Sequence, residues 1–180
     1  MDQRKLKTRQ AIQAAFLRLR TEKTLEQISV TELSRLAKIS KATFYLHYRD
    51  IFELSEKMQE AVIRQVLAQI DISPSVLDHW AAFTKNIMTA VGQDQSVLPV
   101  LFSGTQSAMF PVLLENQLRE YILEQSPELR EDTDLSIRLT YHIQGGYHTY
   151  MRHAHHADTE RILDIIADIH NKTGIGTVLP

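Results

Sequence analysis

Hydrogen-bonding side chains are concentrated between residues 40 and 49 of this 180-residue chain. Lys41 can donate a hydrogen bond to a phosphate or to guanine O6 and N7, and the hydroxyl of Thr43 can reach either partner. Tyr45 and His47 can reach phosphate oxygens, and so can Tyr48 if its hydroxyl is not buried. Such donors on one short segment favour binding to a nucleic acid, although an ordinary amphipathic surface has a similar composition.

The elements that must hold these side chains are two predicted short helices. Ser29 and Glu32 form a capping-box pattern that opens the first helix, and Ser40 is a good amino-terminal cap for the second. Two short helices joined by a short turn have the spacing of a helix-turn-helix, and an amphipathic helix over residues 4–20 completes a three-helix unit. The second helix would then enter the DNA major groove, and Thr31 would offer its hydroxyl to a phosphate. A plain helical hairpin without a ligand has the same spacing.

Residues 9–54 resemble the amino-terminal domain of the TetR/AcrR family of bacterial transcriptional regulators. The matching positions are Arg9, Ile12, Ala14, Ala15 and Leu17, the run from Ile28 to Ala37, the run from Ile39 to Tyr48, and Asp50, Glu53 and Leu54. The resemblance implies an all-α fold of about nine helices, with a helix-turn-helix DNA-binding domain over residues 1–54 and a helical effector-binding and dimerisation domain over residues 55–180.

The same resemblance implies a homodimeric repressor that binds a palindromic operator in double-stranded DNA. A small-molecule effector bound by the second domain would lower the operator affinity. The DNA-contacting residues that follow are Thr31, Ser40, Lys41, Ala42, Thr43, Tyr45, Leu46, His47, Tyr48 and Arg49.

Three positions depart from the family pattern. Lys38 stands where the family often has Gly, and it costs on the order of 1 kcal/mol if its φ is positive. Ile51 stands where a phosphate-binding Lys is common, and Leu46 stands where an aromatic residue is common. These changes alter or weaken the operator contacts, although Arg49 is placed to substitute for the missing Lys. Phe44 has the spacing of a core residue.

Charge is divided unevenly along the chain. Residues 1–50 contain 11 Lys and Arg against five Asp and Glu, a net charge of +6, and residues 51–180 carry the compensating −8. This split indicates that the first part of the chain contacts a polyanion and that the second part does not. Charge alone does not distinguish DNA from RNA or from an anionic membrane, and chance clustering gives the same pattern.

Composition excludes several classes of protein. The chain has no Cys, which excludes disulfides, a thiolate nucleophile and a zinc–cysteine site. It contains no run of about 18 apolar residues, so we expect no membrane-spanning helix. The basic amino terminus lacks the apolar stretch of a secretion signal, so we expect a cytoplasmic protein.

The acidic second part is predicted to contain helices over residues 76–91, 97–102, 107–124, 134–153 and 159–171. The last helix has more apolar residues than one narrow face needs, and the last two helices from each of two chains would form a four-helix interface. The predicted interface residues are Gly145, Tyr147, His148, Met151, Ile162, Ile165, Ile166 and Ile169. The alternative is that these side chains are buried within one protomer.

A ligand pocket, if the second part has one, is predicted among its middle helices. The candidates are aromatic and Met side chains with two polar neighbours, namely Trp80, Phe83, Met88, Phe102, Met109, Phe110, Tyr121 and Tyr141, with His142 and Gln144. This composition suits an apolar or aromatic effector, although each residue alone is more typical of a hydrophobic core.

Histidines near the end of the helix over 134–153 raise the question of a metal site. These are His148, His153, His155 and His156. The helix dipole alone favours His there, so we expect no bound metal and no cofactor. We also expect no enzymatic activity, because no Ser–His–Asp arrangement, phosphate-binding loop or suitably spaced pair of acids is present. The main alternative is a protein of the same fold that has lost operator binding and acts as a protein-binding coactivator. A helical enzyme is the second alternative.

Overall fold

The structure is a computed structural model that describes residues 3–70, 80–93, 97–154 and 158–172. Every regular element in these ranges is helical, which confirms the predicted all-α fold of nine α-helices. The helices are α1 (Gln3–Arg20), α2 (Val30–Leu36), α3 (Lys41–Tyr45), α4 (Ile51–Leu67), α5 (Trp80–Gln93), α6 (Leu98–Leu101), α7 (Met109–Gln125), α8 (Thr133–His153) and α9 (Thr159–Lys172). Short 3₁₀ turns lie at Leu25–Gln27, Gly104–Ala108 and Pro127–Glu131.

The chain folds into two compact units. The first contains Met1–Val62 and Gln95–Ala108, and the second contains Ile63–Asp94 and Met109–Pro180. These units do not follow the predicted boundary after residue 54. The reason is that most of α4, from Ile51 to Val62, and the later segment around α6 both pack with the amino-terminal helices.

The core of the first unit is formed by apolar side chains from each of its helices. Ile12 and Phe16 of α1, Leu33 of α2, Phe44 of α3 and Leu54 of α4 are all fully buried. Phe44 is thus a core residue, as its spacing predicts. Because α3 is only five residues long, its orientation depends on this one buried ring.

Side-chain caps start the helices of this unit. The Ser29 hydroxyl accepts from the amide of Glu32 at 3.2 Å, the Ser40 hydroxyl accepts from the amide of Thr43 at 3.0 Å, and the Asp50 carboxylate accepts from the amide of Glu53. Each bond satisfies an amide that has no partner within its own helix. These bonds explain why the predicted starts of α2, α3 and α4 agree with the structure.

The turn between α2 and α3 contains a strained residue. Lys38 has a φ of 55°, which lies in the left-handed region. This is the positive φ at which a conformational cost is predicted for Lys in place of Gly. A side chain with a Cβ pays on the order of 1 kcal/mol there relative to Gly. The first unit therefore tolerates this strain in order to turn the chain between its two short helices.

The side chain of a buried arginine, Arg20, joins α1 to the segment around α6 through hydrogen bonds. The Arg20 guanidinium donates to the Ser103 hydroxyl at 2.7 Å, to the Val100 and Ser103 carbonyls at 3.3 Å, and to the Lys23 carbonyl at 2.9 Å. Burial lowers the pKa of Arg20, and the charge of Glu26 opposes that shift.

A buried amide on α4 adds to this attachment. The side-chain nitrogen of Gln59 donates to the Leu101 carbonyl at 3.0 Å. Gln59 is itself buried, so this bond joins α4 to α6 inside the first unit. Two buried polar side chains, from α1 and from α4, thus hold one remote stretch of chain.

The second unit is formed by α5, α7, α8 and α9, with close packing of α9 against α5 and α8, and of α7 against α8. A Cβ at Gly146 of α8 would lie 3.4 Å from Cε1 of His170 and 3.7 Å from Cγ2 of Ile166 on α9, which are ordinary van der Waals contacts. A Cβ at Gly145 would meet nothing within 4 Å. Of the two adjacent glycines, only Gly146 faces α9, and neither is required by the space around it.

Candidate nucleic-acid interface and neighbouring sites

The outward face of α3 carries most of the predicted DNA contacts. Lys41, Ala42, Tyr45 and Leu46 are exposed, with 57% of Tyr45 and 84% of Leu46 accessible to solvent. They surround the buried ring of Phe44 in sequence, so burying that ring turns them outward. The helix can therefore present a cation, a phenol and an aliphatic side chain together.

Hydroxyl groups at both short helices are also accessible. Ser40 and Thr31 are exposed, and Thr43 is half-buried. The hydroxyls of Ser40 and Thr43 lie 2.8 Å apart and share a hydrogen bond, while the Ser40 oxygen also caps α3. Each hydroxyl has a second lone pair or a proton left for an external partner.

Two further predicted contacts flank the end of α3. His47 is half-buried, and its ring lies 6.3 Å from that of Tyr48. The side chain of Arg49 is 79% exposed and its Nε lies 3.3 Å from the Asp50 carboxylate. Such an exposed pair contributes little, so Arg49 remains available to a phosphate.

Tyr48 requires a correction. Only 3% of this residue is exposed, and its ring packs 5.8 Å from the ring of Phe44 with the Lys57 ammonium 5.7 Å from its centre. The hydroxyl is enclosed as well, so the condition on which its predicted DNA contact depended is not met. Tyr48 is a core residue of the first unit.

The local charge favours an anionic partner. Between Ser29 and Arg49 the chain carries four exposed cations, on Arg35, Lys38, Lys41 and Arg49. The single acid in this stretch, Glu32, has its carboxylate 2.7 Å from the ammonium of Lys23. The net positive charge of the short helices is therefore displayed at the surface.

The two acids that follow α3 are engaged by the start of α4. Asp50 caps the amide of Glu53, and Glu53 accepts from the amide of Arg49. These backbone hydrogen bonds lower the pKa of both carboxyl groups. Their charges are directed into the helix start, where the helix dipole favours them.

The second unit contains a small cavity at the centre of its four helices. Its volume is ≈ 40 Å³, and of the predicted ligand residues it is lined by Phe83, Met88, Phe110 and His142. The other lining residues are Thr84, Ile87, Leu114, Ile143, Gly146, Tyr147, Tyr150, Leu163 and Ile166. Their spacing of three and four residues along α5 and α8 is the sequence signal that would have found most of them.

Five of the remaining ligand candidates do not line this cavity. Met109, Tyr121 and Tyr141 are exposed, and the Gln144 amide donates to the Glu115 carboxylate at 3.0 Å. Phe102 is buried in the first unit, because the α6 segment packs there. The side chain of Trp80 lies outside the part of the structure that is described.

Two histidines meet beside the cavity. The rings of His142 and His170 lie 4.6 Å apart, nearly perpendicular, and the Thr84 hydroxyl lies 3.1 Å from Nδ1 of His170. Burial lowers the pKa of His142 to about 4, with smaller effects in the same direction from His170 and Arg138. His142 is therefore neutral at pH 7, and the cavity wall carries no ionised side chain.

The predicted interface residues separate into two groups. Gly145, His148, Met151, Ile165 and Ile169 are exposed. Ile162 and Ile166 are buried within the protomer, and the half-buried Tyr147 stacks 5.4 Å from Phe110, so these three are corrected to intramolecular packing. The reason is that one apolar face of α9 packs against α5 and α8 of the same protomer. Only the apolar side chains outside that face can contact a partner.

Two exposed residues enlarge the first group. Ile137 is 62% exposed and Tyr141 is 56% exposed, and both lie on the same face of α8 as His148. We call the exposed apolar residues of these two helices, Ile137, Tyr141, Met151, Ile165 and Ile169, the apolar face of α8 and α9. The spacing of Ile137 and Tyr141, one helical turn apart, was the available sequence signal.

Within the described ranges, no helix is long and apolar enough to cross a membrane, and no group of three or more metal-binding side chains is found. The His155 and His156 positions lie outside the described residues. No protein-family model matches the chain, and no solved structure matches it.

Proposed function

We propose that the chain is a sequence-specific DNA-binding transcriptional regulator that resembles the TetR/AcrR family and acts as a repressor released by a small-molecule ligand. The observation that carries the proposal is the outward face of α3, which Phe44 anchors and which exposed cations surround. An α-helix fits the major groove, and donors on such a helix meet base edges and phosphates.

The roles of the side chains follow from their chemistry. Lys41 and Tyr45 donate to a base edge or a phosphate from α3. Thr31 and Arg49, on either side of α3 in the sequence, contact phosphates, with half-buried His47 as a further donor. Most of these contacts position the protein, and the α3 side chains supply the discrimination between sequences.

The partner that completes the regulator is a second copy of the chain. A palindromic operator needs two recognition helices about 34 Å apart, which one protomer does not supply. The apolar face of α8 and α9 exposes Ile137, Tyr141, Ile165 and Ile169 to solvent. Pairing this face with its copy would remove apolar surface from water in a four-helix interface.

The cavity of the second unit is the proposed effector site. A volume of ≈ 40 Å³ is far below the several hundred Å³ that a typical ligand pocket offers. An effector must therefore widen the space between α5, α7 and α8, and it binds only the widened state. A ligand with this difference in affinity shifts the population of the two states.

The chain itself connects the effector site to the DNA-binding unit. The segment Gln95–Ala108 follows α5 and precedes α7, both of which line the cavity, and the segment belongs to the first unit. Arg20 and Gln59 hold it there through buried hydrogen bonds. A displacement of α5 or α7 would thus move this segment, which the hydrogen bonds of Arg20 and Gln59 join to α1 and α4.

The test is selection of bound fragments from random DNA, followed by affinity measurements at two salt concentrations. Wild-type binding should weaken at least about ten-fold between 50 and 200 mM salt, since phosphate contacts release counterions. Lys41→Ala should weaken binding about three- to thirty-fold. Lys85→Ala removes an exposed, paired cation from α5 and serves as the matched control, with no loss expected.

A protein-binding coactivator is the alternative, and the exposed Leu46 is the observation that favours it, since an apolar side chain suits a protein surface. No enrichment of any DNA sequence, or an equal effect of the Lys41 and Lys85 substitutions, would support this alternative over the DNA-binding regulator.

A further inference from the structure

Leu46 is the most exposed of the large apolar side chains in the described ranges, at 84%. The others that are exposed lie between 36% and 62%. Its backbone has φ −73° and ψ −16°, and its amide donates to the Ala42 carbonyl at 3.2 Å. Leu46 therefore continues the helical path of α3 by one residue, one turn beyond Ala42.

This geometry places an apolar strip within a polar helix. Ala42 and Leu46 are four residues apart, so they share a face of α3, and both are exposed. Lys41 and Tyr45 lie on one side of the strip and Thr43 and His47 lie on the other. The strip is thus bordered by hydrogen-bond donors on both sides and by the cation of Lys41 on one side.

We infer that Leu46 selects a thymine in each half of the operator by contacting the 5-methyl group of that base, an inference that rests on the proposed function. Among the four bases, only thymine shows a methyl group in the major groove. The surrounding cations favour DNA over an apolar pocket on another protein, because they would lose their hydration in such a pocket.

The same contact disfavours the other bases. Leu46 has no donor or acceptor, so a cytosine amino group or a purine N7 opposite it would lose water without gaining a hydrogen bond. Discrimination by Leu46 therefore has two sources, which are the methyl contact with thymine and the unsatisfied polar edges of its competitors.

The experiment uses the full-length chain and the DNA site selected from random sequence. Each thymine of that site is replaced in turn by 2′-deoxyuridine, which pairs identically but lacks the methyl group. We expect one thymine in each half-site at which this replacement weakens wild-type binding about three- to ten-fold, the scale of burying one methyl group. For Leu46→Ala, the same replacement should change the affinity by less than about two-fold.

Val112→Ala is the matched control, because it truncates another exposed aliphatic side chain, on α7, outside the proposed DNA-binding and dimer surfaces. It should leave the full penalty for deoxyuridine in place. Unchanged thermal unfolding of Leu46→Ala would show that the fold is intact, as its exposure leads us to expect.

The failures of the two proposals are distinguishable. If the chain selects a DNA site but every deoxyuridine is tolerated, or if the penalty persists in Leu46→Ala, the role of Leu46 is overturned and the regulator stands. If no DNA site is selected, both proposals are overturned, and Leu46 becomes a candidate contact for a protein partner.

Discussion

The exposed face of α3 and the exposed face of α8 and α9 differ in the kind of side chain that they show to solvent. α3 presents Lys41 and Tyr45 around a single aliphatic tip, Leu46. The other face presents the exposed apolar side chains of Ile137, Tyr141, Met151, Ile165 and Ile169. A charged, donor-rich surface suits a hydrated polyanion, whereas a broad apolar surface suits removal from water against a like surface.

The interiors of the two units differ as well. The first unit buries a cation, Arg20, within a set of hydrogen bonds to backbone carbonyls. The second buries His142 in its neutral form beside His170. Mild acid should therefore leave the stability of the first interior unchanged and lower the stability of the second. This difference distinguishes the two units by experiment.

The largest expected effect separates two adjacent residues of α3. Phe44→Ala should destabilise the protein by about 3–5 kcal/mol, because it empties the buried position that orients the helix. Tyr45→Ala should change stability by less than about 0.5 kcal/mol, since its ring is exposed, while weakening DNA binding. Urea denaturation and DNA titration of both variants measure the difference. Similar stability of the two variants would contradict the assigned orientation of α3.

Arg20→Met should cost about 2–4 kcal/mol, because the carbonyls of Val100 and Ser103 lose their donor. Arg119→Met, which removes a half-buried guanidinium that donates to the Ser136 hydroxyl and the Arg130 carbonyl in the second unit, is the control and should cost less. Thermal unfolding followed by circular dichroism gives both values. A neutral effect of Arg20→Met would show that the α6 segment is held by apolar packing alone.

Acid should destabilise the second unit. The pKa of His142 is lowered to about 4 in the folded chain from 6.5, so its stabilisation is complete above pH 6.5 and is lost as the pH falls toward 4. At pH 5 the expected loss is about 2 kcal/mol. Denaturation of wild type and His142→Phe at pH 7 and pH 5 tests this, and the variant should lose less. Equal losses would assign the acid sensitivity to other groups.

The smallest effect concerns association. Ile165→Lys should weaken self-association at least about ten-fold, because a two-fold symmetric interface would bury the new charge of both protomers. It should leave the fold intact, since Ile165 is about half exposed. Sedimentation velocity gives the result, with Ile162→Val as a control that changes only the interior. A wild-type chain that stays monomeric at micromolar concentration would remove the basis for this interface.

The sequence predicts most strongly those features that local chemistry determines. Ser29, Ser40 and Asp50 mark the starts of three helices because each supplies an acceptor to an otherwise unpaired amide. The strain at Lys38 is likewise local, because it depends on one backbone angle. The identity of Phe44 as a core residue follows from helical spacing alone.

Features that depend on distant parts of the chain were predicted less well. Ile162, Ile165 and Ile166 are alike in composition, and only the packing of α9 against α5 and α8 determines that Ile165 is exposed. Phe102 joins the first unit because Arg20 and Gln59 bind its neighbours, and no local pattern reveals those bonds. Spacing identifies the faces of a helix, but it does not say which face a remote partner covers.

The return of residues 95–108 to the first unit limits how the protein can be divided. A fragment ending at Val62 would leave Arg20 and Gln59 without the carbonyls that they bind. Such a fragment would expose to solvent the Arg20 guanidinium and the Gln59 amide, which are buried in the whole chain. A chimaera that joins the first unit to another effector-binding unit must therefore contain two separate stretches of sequence. Its junctions belong after Val62 and on both sides of the α6 segment.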